Sequence, residues 1–195
     1  MASAFTPQER ETITAALLSA ARRCACSTGL KKTTLEALTQ QAGISKSAFY
    51  AFFPSKEHLF LQVHAQWHYD IFEYAHTALE EAQTLPPRER AAYILEHTLC
   101  AIAHSDMFHH AIEDWTLIEH RLPPEDTETL ARTDTQLVQT LIAKADIHLA
   151  VSLEDAVAMV RILLMSMRVR ASVGPSFDGA LSKLVQAACG QYVVA

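Results

Sequence analysis

Thr33-Thr34-Leu35-Glu36-Ala37-Leu38-Thr39-Gln40-Gln41-Ala42-Gly43-Ile44-Ser45-Lys46-Ser47-Ala48-Phe49-Tyr50-Ala51-Phe52-Phe53-Pro54-Ser55-Lys56-Glu57 is the stretch from which the fold is read. It predicts two short helices joined at an Ala42-Gly43-Ile44 corner, then a Pro-Ser break and a new helix. Thr33 is expected to cap the first helix, with Glu36 completing a capping box. Leu35 and Leu38 give that helix an apolar face, and Gly43 suits the left-handed residue that ends it. Ser45 is expected to cap the second helix, whose start offers Ser45, Lys46 and Ser47 while Phe49, Phe52 and Phe53 turn inward. A short helix, a glycine turn and a short polar-tipped helix form a helix-turn-helix pattern over about 33–53, suited to a DNA major groove.

The totals agree once they are divided. The 195-residue chain carries a net charge of −6, which by itself argues against a polyphosphate partner. Through Ala65, seven Lys and Arg face four Asp and Glu, giving +3; from Gln66 onward nine face eighteen, giving −9. Only the first part has the electrostatic character of a nucleic-acid binder. Half the residues are hydrophobic, enough for a core, and only five are glycine, which with abundant Ala and Leu favours helix. The first residues contain no apolar signal segment, and the most apolar later run, Ala156 to Met167, is too short to span a bilayer. A cytoplasmic protein without a membrane partner is expected. Cys24, Cys26, Cys100 and Cys189 have no paired zinc spacing and read as small buried apolar residues.

Prolines punctuate an all-α chain. Thr6-Pro7-Gln8-Glu9 predicts a helix start, with Ile13, Leu17, Ala20 and Cys24 on one face and Gly29 ending the helix near Thr28. Ser55 starts a long helix from Lys56 to about Gln83, with Leu59, Val63, Trp67, Ile71 and either Tyr74 or Ala78 along one side. Helices follow at about Pro87 to Ala103, Met107 to Arg121, Glu125 to His148, Leu153 to Ser172 and Phe177 to Tyr192. The expected organisation is a three-helix head, 1–54, on a larger helical body, 55–195. The last two helices are apolar on more sides than one chain of this size covers, so Val160, Leu163, Leu164, Met167, Leu181, Leu184, Val185 and Ala188 are expected to meet a second copy about a two-fold axis.

Thr34, Leu38, Ala42-Gly43-Ile44-Ser45, Phe49-Tyr50, Phe53, Ser55-Lys56-Glu57 and Leu59 together resemble the N-terminal region of the TetR family of transcriptional regulators. The resemblance spans roughly Glu9 to Val63. Phe52 stands where the family commonly has His or Tyr, and Thr39 where a small Ala is common. The resemblance implies a homodimeric regulator, most often a repressor, bound to a roughly palindromic DNA operator and released by a small-molecule effector. It also implies dimerisation through the last helices and an effector cavity beside the long helix.

The residues expected on DNA are Thr33, Thr34, Ser45, Lys46, Ser47, Tyr50 and Lys56. Lys46 suits guanine edges or a phosphate, Tyr50 matches the family's phosphate-contacting tyrosine, and Thr33, Thr34 and Lys56 lie at helix starts. Trp67, Tyr93, His97, Cys100, Phe108, Trp115 and Met159 could line the effector cavity, with Glu113 and Asp114 favouring a cation or facing solvent. The ten histidines, His64 and His68 among them, lack a metal-binding motif, and no metal or cofactor is expected. The chain also lacks a nucleophile elbow, a phosphate loop and a dinucleotide glycine pattern, so catalysis is not expected. The alternative is a helical ligand-binding or interaction module that no longer binds DNA.

Overall fold

A computed structural model describes residues 5–194, and its architecture is all-α. The helices are α1 (Pro7–Ser27), α2 (Gly29–Lys32), α3 (Leu35–Ala42), α4 (Lys46–Phe49), α5 (Lys56–Ala82), α6 (Pro87–Ala103), α7 (Phe108–Arg121), α8 (Pro124–Lys144), α9 (Leu153–Ser166), α10 (Arg170–Val173) and α11 (Phe177–Tyr192). Among the described residues the only extended pairing is an isolated antiparallel bridge between Leu149 and Val193.

Two compact units emerge, one of residues 5–68 with 105–130 and one of 69–104 with 131–194. These limits differ from the boundary expected at residue 54. The start of α5 and all of α7 belong with the helix-turn-helix, because Leu59, Phe60 and Val63 are fully buried in the first unit and α7 bonds directly to α2.

In the first unit, α1 starts where predicted, and its cap is a capping box: Thr6 Oγ1 accepts from Glu9 N, and Glu9 returns a carboxylate to Thr6 N at 2.7 Å. Leu17 and Ala20 are fully buried, whereas Ile13 and Cys24 are half-buried. Between α1 and α3 the chain forms the extra turn α2, where a connection was expected. Gly29 opens it at φ +72, the left-handed region that side chains rarely adopt. A Cβ there would also lie 3.0 Å from Asp114 Oδ1.

Thr34, not Thr33, caps α3, its hydroxyl accepting from Ala37 N at 3.2 Å. The third helical position is therefore Ala37, and Glu36 takes no part in a capping box. Thr33 is 4% exposed and donates its hydroxyl to Gly29 O at 2.7 Å. Thr39 is likewise buried; its hydroxyl donates to Leu35 O at 2.8 Å, which satisfies it inside the helix. Gly43 ends α3 at φ +68, as its position predicts.

In the second unit one core joins Ala92 and Leu99 of α6 with Leu163 of α9 and Val185 and Cys189 of α11. A second joins Ala75, Ala78 and Leu79 of α5 with Ile94 of α6 and Ala145. Ala78, not Tyr74, thus continues the buried face of α5, and Tyr74 is exposed. Helix α8 stops at Lys144 rather than His148. Asp146 takes φ +50, Arg90 donates to Ala145 O, and the segment beyond pairs with the C-terminus through Ala150 N→Tyr192 O and Val194 N→His148 O, both 2.8 Å. The helix expected to reach Ser172 also breaks, into α9, a 3₁₀ turn at Met167–Val169, and α10. Of the four cysteines only Cys189 is buried; Cys24 and Cys26 are half-buried and Cys100 is exposed.

Candidate nucleic-acid interface and effector region

The recognition segment is short. Helix α4 is one turn, prolonged by Ala51 N→Ala48 O, Phe52 N→Phe49 O and Phe53 N→Phe49 O bonds. Phe49 and Phe53 fix it to the head, being 0% and 3% exposed, with ring centroids 6.0 Å apart. Phe52 packs half-buried beside Phe5 at 5.2 Å, and the Arg10 guanidinium lies 5.0 Å from its ring centre. Arg10 also donates to Ala51 O at 2.8 Å, tying α1 to the end of the recognition turn.

With the apolar side committed, the opposite side presents Ser45, Lys46, Ser47 and Tyr50, all exposed. Ser45 caps the turn by accepting from Ala48 N at 3.1 Å, and its hydroxyl pairs with that of Ser47 at 2.9 Å. Tyr50 is 58% exposed and stands edge-on to Phe49, with ring centroids 5.6 Å apart. Lys46 forms an ion pair with Glu36 of α3, both side chains more than half exposed. Glu36 is a functional candidate that sequence reading assigned elsewhere; its position ten residues before Lys46 becomes a contact only once the corner at Gly43 is folded.

Two expected contacts are corrected. Thr33 points into the head, as described above. Lys56 is part-buried and donates its ammonium to Leu30 O at 2.9 Å and Thr33 O at 2.7 Å. Those carbonyls lie at the C-terminal end of α2, where a cation is favoured by the free C=O groups. At the other end of α2, Asp114 Oδ1 accepts from Leu30 N at 2.8 Å, and His110 Nε2 lies 3.1 Å from Ser27 O. The acid expected to face solvent or an effector thus holds α2 in place. Burial pushes the Asp114 carboxyl above its ordinary value, even though the Leu30 N–H opposes the shift. Lower on α7, Arg121 donates to Glu57 Oε1 at 2.6 Å. Burial raises the Glu57 carboxyl, but the Arg121 and backbone bonds outweigh it and hold the group below its ordinary value.

The residues expected to line an effector cavity divide between the two units. Trp67, Phe108 and Trp115 belong to the first, and Tyr93, His97, Cys100 and Met159 to the second. Trp67 is buried and donates its indole N–H to Ser105 Oγ at 3.0 Å. His64, buried at 1% exposure, stands 6.2 Å from the Trp67 ring and 6.1 Å from that of Trp115, with His68 6.4 Å from Trp115. In the second unit, Tyr93 stacks on exposed His97 at 3.7 Å and donates to Glu81 at 2.8 Å, a bond that raises the phenol's pKa. Exposed Cys100 lies 3.6 Å from His104 Nδ1, and Met159 packs on the core around Leu99 and Val185. A cavity of about 430 Å³ opens in that unit, but Gln139, Ile142, Ala143, Asp146, Ile147, His148, Leu149 and Leu153 line it, and none of the expected residues does.

The expected dimer residues also separate. Leu163, Met167 and Val185 are 7%, 6% and 0% exposed in the single chain, so they hold their own subunit together and cannot form the mating surface. Leu164, Leu181 and Ala188 are half-buried. Val160 and Leu184 are exposed, as are Ile162, Met165, Val169 and Val173, which were not among the expected set. Among the described residues no three His, Cys, Asp or Glu side chains converge to hold a metal ion, and no helix is long and apolar enough to cross a membrane.

An αL-glycine corner followed by a polar-tipped turn defines a helix-turn-helix protein. Residues 17–63 match the model for bacterial regulatory proteins of the tetR family. Its fold is similar to a TetR transcriptional regulator from Rhodococcus sp. RHA1, at 16% identity and a TM-score of 0.61 over 93% of this chain and 96% of that one. A TetR family transcription regulator from Marinobacter aquaeolei VT8 gives 14% identity and 0.58 over 97% and 100%. The superantigen PfiT gives 19% and 0.63 over 95% and 98%. Comparison with curated proteins yields no match.

Proposed function

We propose that this protein is a homodimeric, sequence-specific DNA-binding regulator of transcription, a repressor that a small molecule releases from its operator. The observation that carries the reading is the recognition turn: Phe49 and Phe53 are buried beneath it, while Ser45, Lys46, Ser47 and Tyr50 stand exposed on its other side. Hydroxyls and an ammonium on a fixed turn are the groups that bond phosphates and base edges. Thr34, exposed at the start of α3, adds a hydroxyl, and exposed Lys31 and Lys32 add positive charge to the head. Two copies would read half-sites about 34–36 Å apart or a multiple of that spacing. In this reading the DNA-contacting residues lie within 1–54 and the effector and dimer surfaces within 55–195.

Fluorescence anisotropy of the full chain with duplex from its own promoter region tests this against scrambled duplex at moderate salt. The expected result is binding to the promoter about a thousandfold tighter than to random sequence. Equal affinity for both duplexes would overturn the reading and favour the interaction module. One observation supports that second reading: Lys56 is committed inside the head and Lys46 is paired with Glu36. The similar fold of a superantigen shows that this architecture is not tied to one task.

A further inference from the structure

His64 occupies a position that packing alone does not explain. It is 1% exposed, and its Nε2 has no hydrogen-bond partner within the protein. A buried polar atom left without a partner costs roughly 1–3 kcal/mol, whereas a leucine of similar bulk at the same place would cost nothing of the kind. Such exceptions concentrate where a site serves function rather than stability.

The surroundings indicate what would complete it. His64, Trp67 and His68 project from one side of α5, at i, i+3 and i+4. Trp115 of α7 faces them: the His64 ring centre lies 6.2 Å from Trp67 and 6.1 Å from Trp115, and the His68 ring centre lies 5.8 Å and 6.4 Å from the same two indoles. Burial grades across the group: His64 and Trp67 are buried, and His68 and Trp115 are half-buried. Trp115 is therefore the more exposed of the two indoles. Burial, with His68 adding to it, lowers the His64 pKa to about 3, so the imidazole is neutral at physiological pH. A neutral imidazole offers one donor and one acceptor nitrogen, and burial among aromatic rings disfavours a charged partner. A hydroxyl serves whichever tautomer is present, because it both donates and accepts. Indole faces favour an aromatic ring behind that hydroxyl.

We propose that the His64–Trp67–His68–Trp115 cluster is the effector site and that it recognises an uncharged aromatic alcohol, whose ring lies against the indoles and whose hydroxyl bonds to His64 Nε2. The inference rests on the effector-responsive reading above and specifies the chemistry of its ligand. It places the polar anchor at His64, which was not among the residues expected to line the effector cavity.

Trp67 and Trp115 are the chain's two tryptophans, so indole emission reports on this cluster alone. The full chain is titrated with phenol and, separately, with toluene, which keeps the ring and lacks the hydroxyl. Phenol should change the emission saturably, with half-saturation at least about tenfold below that of toluene, the value of one added hydrogen bond to a buried partner. In His64→Leu the phenol half-saturation should rise about tenfold to meet that of toluene, while toluene binds no worse. Equal half-saturation for the two in the unaltered protein, no saturable change with phenol, or a preference for phenol that survives His64→Leu would each overturn the site. The comparison in the unaltered protein decides the matter even if the variant does not fold. Promoter binding is measured separately: its absence would remove the regulator and leave the phenol titration readable, and loss of the phenol preference would leave promoter binding intact.

Discussion

The corner where α7 meets α2 and the outer side of α9 and α11 solve opposite problems. At the corner polar groups find partners in the same chain: Asp114 receives Leu30 N, Lys56 covers Leu30 O and Thr33 O, and Thr33 covers Gly29 O. A four-residue helix cannot stabilise itself, and here a carboxylate at one end and an ammonium at the other complete it. On α9, α10 and α11 the chain instead leaves Ile162, Met165, Val173 and Leu184 uncovered, each at least 47% exposed. Exposed apolar residues in such numbers, with the true core lying beneath them, mark a surface for another molecule. The contrast teaches that charged side chains brace the first unit from within, while the second leaves apolar side chains uncovered.

The largest effect should come from breaking the apolar side. Leu184→Arg is expected to halve the mass measured by sedimentation or light scattering, retain helicity, and weaken promoter binding by about a hundredfold through loss of the paired head. Leu163→Arg is the sharpening control: because Leu163 lies in the single-chain core, it should lose helical structure as well as the dimer. A Leu184→Arg protein that keeps its full mass would remove α11 from the interface.

The next effect concerns the corner. Asp114→Ala leaves Leu30 N buried without an acceptor and should cost about 2 kcal/mol by urea unfolding. A pH series sharpens it. The folded Asp114 carboxyl has a raised pKa and so holds its proton more tightly than the unfolded one, and its contribution to stability falls as pH rises from the ordinary aspartate range through the raised value. Asp114→Asn removes that slope, so the variant's stability relative to the parent should increase as pH rises across that window. A constant difference would show that Asp114 titrates normally.

Smaller effects separate two lysines that look alike in sequence. Glu36→Gln releases Lys46 from its ion pair and should tighten binding to any duplex several-fold, within the 0.2–1 kcal/mol or so that exposed pairs are worth. Lys46→Ala should reduce discrimination between promoter and scrambled duplex. Lys56→Ala should leave the slope of log affinity against log salt unchanged, because its ammonium is occupied within the head. Its effect should appear as a lowered melting temperature. A salt slope reduced by about one would return Lys56 to the DNA surface.

Local chemistry made much of the molecule legible. Thr6-Pro7-Gln8-Glu9 specified a helix start, Gly43 a left-handed corner, and the aromatic spacing of Phe49 and Phe53 an inward face, because each depends on neighbours within one helical turn. Thr33 and Thr34 could not be told apart in that way, since either hydroxyl suits a helix start and only the extra turn α2 turns Thr33 inward. The end of α8 was illegible for a related reason. Ala145-Asp146-Ile147 carries no glycine or proline, and the stop is imposed by Arg90 and by pairing with the C-terminus.

The amino-acid sequence by itself determined the helical class, the helix-turn-helix and the opposite charges of head and remainder, since periodicity, caps and composition act over short distances. Tertiary structure alone decided that Lys56 and Asp114 serve the head's interior, that Val185 and Leu163 are core, and that His64 lies buried between two tryptophans. Those assignments depend on partners brought in from distant parts of the chain, and no local rule encodes which side of a doubly apolar helix meets its own subunit.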